Sequence, residues 1–309
     1  MFHHKLLLIV NLTAGQKRIC HKLPEVLQLF CKNGYLPTVM TTQYQGHAQA
    51  LARDYAKDYD LIVCAGGDGT LSETVAGLMD AKCDKPLGYI PCGTTNDLAS
   101  TLGLSSDIDQ AASDLLTGNA IPVDIGFFNG QTFSYTASFG AFTRASYATP
   151  QTLKNTFGHL AYLLEGLKDL TNIRPIQARI KADDKEFEGT YVFGSISNST
   201  SLGGVLTLDK NLVMLDDGKF ELVLMEYPQN AYELSQLLLN LTQRKFEPPI
   251  LLLNASSIEI TTTQPLDWTL DGEYVKGETD FSIRNLHAAV RIITPAQTVQ
   301  ISASASPES

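Results

Sequence analysis

The chain has 309 residues, of which 44% are hydrophobic and 18% charged, a balance typical of one or two globular domains. Its 33 acidic residues outnumber 23 Lys and Arg, and the formal net charge of −10 argues against a nucleic-acid-binding protein. The five cysteines form no C-x-x-C pair, so neither a disulfide framework nor a zinc site is predicted. The apolar stretch before Asn11 is too short for a signal peptide or a spanning helix, and we expect a cytoplasmic protein with no transmembrane segment.

The first 125 residues alternate short apolar runs with helical patterns. The strands are predicted at residues 6–10, 37–41, 61–65 and 87–91, and helices at residues 46–55, 71–79 and 97–102. Alternation at this spacing indicates βαβ units and a doubly wound parallel sheet. Ligands of such sheets bind at the carboxyl ends of the strands.

From about residue 123 the pattern changes to a series of short strands, which predicts a mostly antiparallel β domain. Two helices interrupt it. One is predicted at residues 153–170, and the other begins at Asn230, with Glu233 completing a capping box. We therefore expect an α/β domain at residues 1–125 and a β-rich domain at residues 126–294, with residues 295–309 a candidate to return to the first domain.

A glycine-rich segment, Gly66-Gly67-Asp68-Gly69-Thr70, follows the third predicted strand and opens a helix. Glycines let the backbone approach a ligand closely, and the free N–H groups at a helix start favour phosphate. A carboxylate at position 68 would repel phosphate unless a divalent cation lies between the two, as in phosphoryl-transfer sites. The alternative is a tight turn in which Asp68 only caps the helix.

Two further loops have the same character. One is Asn11-Leu12-Thr13-Ala14-Gly15 after the first strand, and the other runs from Pro91 to Asp97 and contains Gly93, Thr94 and Asn96. Taken by itself, the loop from Pro91 to Asp97 could also be explained by helix capping through Asn96 or Asp97. Because carboxyl ends of parallel strands meet at one edge of a sheet, we expect all three loops to converge on one crevice.

These motifs together resemble the catalytic family of the diacylglycerol kinases, which includes the soluble bacterial enzymes and the sphingosine and ceramide kinases. The resemblance rests on Gly-Gly-Asp-Gly-Thr, Gly-Thr-x-Asn-Asp and the earlier Asn-x-x-x-Gly loop. It continues along the chain in Asp124-Ile125-Gly126, Asn198 with Gly203-Gly204, Asp216-Asp217-Gly218-Lys219-Phe220 and Asp271-Gly272-Glu273. It implies an N-terminal doubly wound parallel sheet of the NAD-kinase and diacylglycerol-kinase type and a C-terminal β-sandwich.

The resemblance also implies roles for individual residues. Asp68 and Asp97 would work with Mg²⁺ and phosphate, and Asp217 would bind a structural Mg²⁺ with main-chain oxygens of Met214 and Lys219. A carboxylate cluster of Asp124, Asp271 and Glu273 would accept the proton of the substrate hydroxyl, with the choice between Asp271 and Glu273 left open. Because Asp271 and Glu273 flank Gly272, we expect their side chains to project from one face of an extended strand. The nucleotide would be held by Asn11, Leu12, Thr13, Ala14, Gly15, Thr42, Gly66, Gly67, Asp68, Gly69, Thr70, Leu71, Ser72, Glu73, Gly93, Thr94 and Asn96.

The implied function is an ATP-dependent lipid kinase that transfers the γ-phosphate to a lipid hydroxyl, with diacylglycerol as the leading substrate and phosphatidic acid as its product. Two residues depart from the family's pattern. Leu12 replaces its usual proline, which should alter loop rigidity more than chemistry, and Ser100 replaces its usual arginine, which removes a partner for phosphate or anionic lipid. Alternatives are a kinase for another lipid alcohol, an NAD-kinase-like enzyme and a catalytically silent nucleotide-binding protein. A lipid kinase would work peripherally at a membrane, here through a basic patch of Arg144, Lys154, Lys168 and Arg174, and a homodimer is left open.

Overall fold

The computed structural model describes residues 4–141, 174–202 and 206–296. It contains two compact units, the first made of residues 1–125, 214–217 and 286–309, and the second of residues 126–213 and 218–285. The predicted helix at residues 153–170, both glycines at positions 203 and 204, and Arg144, Lys154 and Lys168 lie outside the described residues.

Unit 1 is built on a parallel sheet. Strand β1 (His4–Val10) pairs in parallel with β2 (Tyr35–Thr41) and β3 (Leu61–Gly66), and β3 pairs with β4 (Leu87–Pro91). Ile292 of the last strand, β15 (Glu273–Thr294), pairs in parallel with Leu87 of β4. The strand order is therefore β15–β4–β3–β1–β2. The elements are β1 His4–Val10, α1 Arg18–Lys32, β2 Tyr35–Thr41, α2 His47–Tyr55, β3 Leu61–Gly66, α3 Asp68–Ala81, β4 Leu87–Pro91, α4 Asp97–Thr101, α5 Ile108–Thr117 and β5 Asn119–Phe128.

The apolar runs of unit 1 explain why these strands are central. Every residue from Leu6 to Val10 and from Leu61 to Gly66 is buried, which is the pattern of strands covered on both faces. Helix α1 buries Ile19, Val26 and Phe30 on one side, where they join the core formed with β1, β3 and β4. The prediction of a doubly wound parallel sheet is confirmed.

Unit 2 is antiparallel. Its strands follow the order β13–β12–β9–β7–β14–β15, and β8 pairs with both β9 and β14. The elements are β6 Gln131–Phe133, β7 Thr136–Gly140, β8 Ile176–Ala182, β9 Lys185–Ser197, β10 Ser201–Leu202, β11 Leu206–Thr207, β12 Phe220–Glu226, α6 Ala231–Gln243, β13 Ile250–Ala255, β14 Ser257–Leu270 and β15 Glu273–Thr294.

An aromatic cluster fills the core of unit 2. The Trp268 ring lies 4.8 Å from Phe128, 4.7 Å from Phe139 and 5.2 Å from Phe281, measured between ring centroids. Inward residues alternate with exposed ones along β8 and the first half of β14, as expected for a sheet with one solvated face. The β-rich C-terminal sandwich is therefore confirmed as well.

The capping box before α6 forms as the sequence indicates. Asn230 Oδ1 accepts a hydrogen bond from Glu233 N at 2.9 Å, and Glu233 Oε2 accepts one from Gln229 N at 2.7 Å. Leu237 and Leu241 of this helix are buried, so the face of the helix that carries them packs on the protein.

Candidate active site

Three loops meet at one edge of the parallel sheet of unit 1. Strands β1, β3 and β4 end at Val10, Gly66 and Pro91. Main-chain hydrogen bonds between neighbouring strands extend to the residue that follows β1 and the residue that follows β4. Asn11 N donates to Ala65 O at 2.9 Å, and Cys92 N donates to Gly66 O at 2.7 Å. The three predicted nucleotide loops thus leave neighbouring strands side by side.

Glycines bring these loops into backbone contact. A Cβ atom at Gly93 would lie 2.7 Å from the Gly67 Cα atom, so the second and third loops touch through main chain alone. Gly15 has φ +54°, and a Cβ there would lie 2.2 Å from Cys92 O. A larger residue at Gly15 or Gly93 would push the loops apart, because its Cβ would overlap main-chain atoms of the neighbouring loop.

Asn11 organises the first loop. Its Oδ1 accepts from Thr13 N at 3.0 Å and from Thr13 Oγ1 at 2.8 Å, while its Nδ2 donates to Thr70 Oγ1 at 3.1 Å. One amide therefore folds its own loop and ties it to the start of α3. The remaining predicted residues of this loop differ in exposure, since Leu12 is half-buried and Ala14 buried against the apolar core of the unit.

Asp68 connects the second loop with the third. It is the first residue of α3, with Gly67 at the N-cap position, and its Oδ2 accepts from Asp97 N at 3.2 Å. This bond joins Asp68 to the first residue of α4. Because its carboxylate reaches across to another helix, the alternative reading of Asp68 as a simple cap of its own helix does not describe the geometry.

Asn96 holds the third loop in shape. It occupies the N-cap position of α4 with φ +52°, in the left-handed region, but its side chain makes no capping hydrogen bond to that helix. Its Nδ2 instead donates to Gly93 O at 3.0 Å. The Tyr89 hydroxyl, which sequence reasoning missed, lies 3.3 Å from both Asn96 Oδ1 and Gly66 O. Burial, aided by the charge of Asp68, raises the pKa of Tyr89 far above its ordinary value, so the phenol keeps its proton.

Glu73 has a positioning role in the structure. Its Oε1 accepts from Gly46 N at 2.7 Å and its Oε2 from Ala48 N at 3.1 Å, so the carboxylate caps the start of α2. Thr42 lies at the beginning of the same connection, where its N–H donates to Val10 O at 2.9 Å. Both oxygens of Glu73 thus fix the segment that follows Thr42. Leu71 has a fully buried side chain, which leaves only its main chain for a ligand.

The Asp271-Gly272-Glu273 segment differs from its prediction. We expected Asp271 and Glu273 to project from one face of an extended strand, and this is wrong. Asp271 and Gly272 have φ values of +49° and +87° and form a two-residue turn between β14 and β15, with Leu270 paired to Glu273. Positive φ at both turn residues is the geometry that favours Asp-Gly in tight hairpins.

This turn separates the two acids by environment. Asp271 is buried, and its oxygens accept hydrogen bonds from Ser134 N at 2.6 Å, Tyr135 N at 2.9 Å and Thr136 N at 3.1 Å. Glu273 is exposed. The Asp271 carboxylate therefore anchors the backbone before β7, whereas the Glu273 carboxylate faces solvent.

Asp124 has no exposed surface, and its Oδ1 lies 2.7 Å from Ala288 N and 3.0 Å from His287 Nδ1. Its own N–H donates to Leu215 O at 2.7 Å. His287 is a second residue that sequence reasoning missed, because 163 residues separate it from Asp124 and no local motif marks it.

The predicted metal loop is an exposed turn with a buried acid at its centre. Asp216 is buried, Asp217 half-buried, and Gly218 has φ +76°. Met214 and Lys219 are exposed. The described residues contain no group of three or more His, Cys, Asp or Glu side chains arranged for a metal ion. One carboxylate with main-chain oxygens and water is nonetheless a donor set that Mg²⁺ accepts, so this loop stays a predicted site.

Asn198, which the resemblance singled out in unit 2, is fully buried, and its N–H donates to Tyr135 O at 3.0 Å. This bond joins the segment after β9 to the same backbone stretch that Asp271 holds.

Two domain families match the chain. Residues 5–128 match the diacylglycerol kinase catalytic domain, and residues 136–294 match the YegS C-terminal NAD kinase beta sandwich-like domain. A diacylglycerol kinase of Bacillus subtilis is 33% identical over 296 residues, which cover 95% of this chain and 97% of that protein. One of Staphylococcus epidermidis is 34% identical over 291 residues, which cover 93% and 91% of the two chains.

A solved structure is also similar. The crystal structure of a diacylglycerol kinase from Bacillus anthracis aligns with a TM-score of 0.76 at 25% sequence identity, covering 96% of this chain and 98% of that one. A parallel sheet with converging glycine loops, followed in the chain by a β-sandwich, here defines a kinase. The chain belongs to the diacylglycerol kinase family.

Proposed function

We propose that this kinase transfers the γ-phosphate of ATP to the hydroxyl of a lipid alcohol, with diacylglycerol as substrate and phosphatidic acid as product. The observation that carries the proposal is the Asp68–Asp97 contact at the meeting point of three glycine loops in unit 1. There, backbone N–H groups for phosphate and two acidic side chains for a divalent cation come from adjacent loops. The relatives described above, each named diacylglycerol kinase, support the lipid acceptor.

For the nucleotide, we propose that the three loops bind the phosphates mainly through main chain. Gly66, Gly67 and Gly93 carry no side chain of their own between backbone and ligand, and the hydroxyls of Thr13, Thr70 and Thr94 supply further donors. Thr42 and the segment that Glu73 fixes would complete the site, together with Gly69, Ser72 and the rest of the first loop.

For the metal, we propose Mg²⁺ at two places. Asp68 and Asp97 would hold the ion that accompanies ATP, which neutralises phosphate charge and orients the transferred group. Asp217, with main-chain oxygens of Met214 and Lys219, would hold a structural ion. If so, Asp217→Ala should lower both thermal stability and turnover, and the purified protein should contain magnesium by elemental analysis. This second site would be contradicted if the purified wild type contains no magnesium and its melting temperature does not change when a chelator is added.

For proton acceptance, the geometry favours Glu273 over Asp271. A base must approach the substrate hydroxyl within hydrogen-bond distance, and Glu273 is an exposed residue that a substrate can reach. The Asp271 carboxylate is already engaged by three main-chain N–H groups. We propose that Glu273 accepts the proton and that Asp271 stabilises the turn that positions Glu273. We also propose that Asp124 acts in phosphoryl transfer as a member of the same carboxylate cluster.

The lipid acceptor implies work at a membrane surface, because diacylglycerol stays in the bilayer. Among the described residues, no helix is long and apolar enough to cross a membrane. We propose a cytoplasmic enzyme that docks peripherally, and the net charge of −10 predicts that docking depends on a local patch. Of the four basic residues named for that patch, the structure describes Arg174, which is exposed.

Transfer of labelled phosphate from ATP into a total lipid extract tests the proposal. Parallel reactions would contain purified diacylglycerol, ceramide, NAD and fructose 6-phosphate, each with the wild type and with Asp68→Ala as the inactive control. We expect label in phosphatidic acid with the wild type only. Label in another lipid would change the substrate, label in NADP would favour an NAD kinase, and ATP-dependent thermal stabilisation without any turnover would favour a nucleotide-binding protein.

A further inference from the structure

The surroundings of the Asp124 carboxylate are more specific than a buried acid requires. Two nitrogen atoms from consecutive residues, His287 Nδ1 and Ala288 N, lie within 3.0 Å of the same oxygen, Oδ1. The carboxylate is completely buried, while 61% of the His287 side-chain surface is exposed. An exposed imidazole therefore lies within hydrogen-bond distance of a buried carboxylate that already accepts a hydrogen bond from a main-chain N–H group.

The backbone at this point is held in an unfavourable conformation. Ala288 has φ +49°, inside a strand where residues normally have strongly negative φ. A non-glycine residue in the left-handed region costs free energy and persists only where its surroundings impose it. At position 288 this conformation accompanies the convergence of the neighbouring imidazole and the amide on Asp124 Oδ1.

The main chain of Asp124 is fixed as well as its side chain. Its N–H donates to Leu215 O at 2.7 Å, so residues from the two other segments of unit 1 hold Asp124. With the backbone anchored on β5, the side-chain orientation depends on the partners of its oxygens. Of these two partners of Oδ1, His287 contributes a side chain and Ala288 a main-chain N–H group.

We propose that His287 is a positioning residue for Asp124, which orients this carboxylate for phosphoryl transfer. This inference rests on the proposed function, in which Asp124 serves the reaction. A hydrogen bond from Nδ1–H restricts rotation of the carboxylate about its Cβ–Cγ bond, and the Ala288 amide fixes the same oxygen from the main chain. Loss of the imidazole would remove this side-chain contact from Oδ1, and the carboxylate would adopt additional orientations.

The experiment compares His287→Ala with His287→Asn in the full-length protein. The Asn Nδ2 group lies at nearly the same distance from the backbone as His Nδ1, so it can restore the bond to Asp124. His21→Ala is the matched control, because His21 is an exposed histidine on α1 with no place in the proposed machinery. Steady-state kinetics with ATP and the lipid substrate give kcat and KM, and thermal melts check folding.

We expect His287→Ala to lower kcat about tenfold or more, at the lower end of the range for partners that orient site residues. KM for ATP should change by less than about twofold, and His287→Asn should recover most of kcat, since a restored hydrogen bond restores orientation. His21→Ala should match the wild type. Long-range ¹H–¹⁵N spectra should show a proton on Nδ1 of His287, identified by the signal lost in His287→Asn.

Three results would overturn the inference: unchanged kcat in His287→Ala, equal impairment of the Ala and Asn variants, or an Nδ1 without a proton. If His287→Ala fails to fold, the kcat of His287→Asn and the Nδ1 signal of the wild type still decide it. Failure of the proposed function looks different. If the wild type is active, Asp124→Asn inactive and His287→Ala normal, only the positioning role of His287 is rejected. If the wild type is inactive on every lipid, the proposed function is rejected together with the positioning role.

Discussion

Replacing Gly15 by alanine tests whether contact between the nucleotide loops matters for the reaction. Gly15 has φ +54°, which costs a non-glycine residue about 1–2 kcal/mol. The new Cβ would also lie 2.2 Å from Cys92 O, whereas such contacts almost never fall under 3.0 Å. Relief requires the two loops to separate, and strain of this kind in a packed region costs about 1–3 kcal/mol. We therefore expect Gly15→Ala to lower the free energy of unfolding by about 2–5 kcal/mol.

Gly34→Ala is the matched control for backbone strain. Gly34 has φ +85°, but a Cβ there would meet no atom within 4 Å, so only the conformational cost applies. Urea unfolding of both variants measures the stability difference, and kinetics measure the functional one. A shift of nearly 1 Å between catalytic loops can cost up to about a hundredfold in rate, so kcat/KM for ATP should fall by about 10–100-fold in Gly15→Ala alone. If both variants show equal losses of stability and normal kcat/KM, the loops do not depend on this contact.

Three further predictions concern single side chains. Asp68→Ala should abolish turnover with the fold retained, because the cation that accompanies ATP would lose one of its two proposed carboxylate ligands; more than a tenth of wild-type activity at saturating magnesium would reject this. Glu273→Gln should lower kcat at least about a hundredfold with normal stability. Asp271→Asn should lower the free energy of unfolding by about 1–3 kcal/mol, because an amide group then faces main-chain donors. The reverse pattern in thermal melts and kinetics would make Asp271, and not Glu273, the proton acceptor. Burial raises the pKa of the Cys64 thiol to about 12, from 9.0. Ellman's reagent at pH 8 should therefore reach Cys64 only after unfolding. The pKa of this thiol is higher in the folded than in the unfolded protein, so its contribution to the free energy of unfolding is present below pH 9 and is lost between pH 9 and about 12. Urea unfolding across this pH range should show a smaller loss of stability in Cys64→Ala than in the wild type.

The sequence predicts the parallel sheet well because its signals are local. Strands buried on both faces are continuous apolar runs, and β4 begins and ends where the pattern indicates, at Leu87 and Pro91. The glycine loops follow these strands directly, so their convergence could also be expected. The element bounds differ by a few residues where apolar and polar residues mix, as at the start of α3, which begins at Asp68 and not at Leu71.

The features that the sequence did not predict depend on contacts between distant residues. Asp271 is bound by backbone 135 to 137 residues away along the chain, and only this contact shows that it is anchored while Glu273 is exposed. Local reasoning treated the two acids alike because they flank one glycine. The capping of α2 by Glu73 has the same origin, since a glutamate in a phosphate-binding helix carries no sign of a partner 25 to 27 residues earlier.

The pairing of β15 with β4 has a consequence for synthesis of the chain. Strand β4 is complete at residue 91, but its outer neighbour in unit 1 contains Ile292, so about 200 residues must be translated before that edge is covered. An uncovered edge strand offers unpaired N–H and C=O groups to other chains. Nascent or truncated chains that lack the segment around Ile292 should therefore be prone to self-association and should engage chaperones longer than the completed protein does.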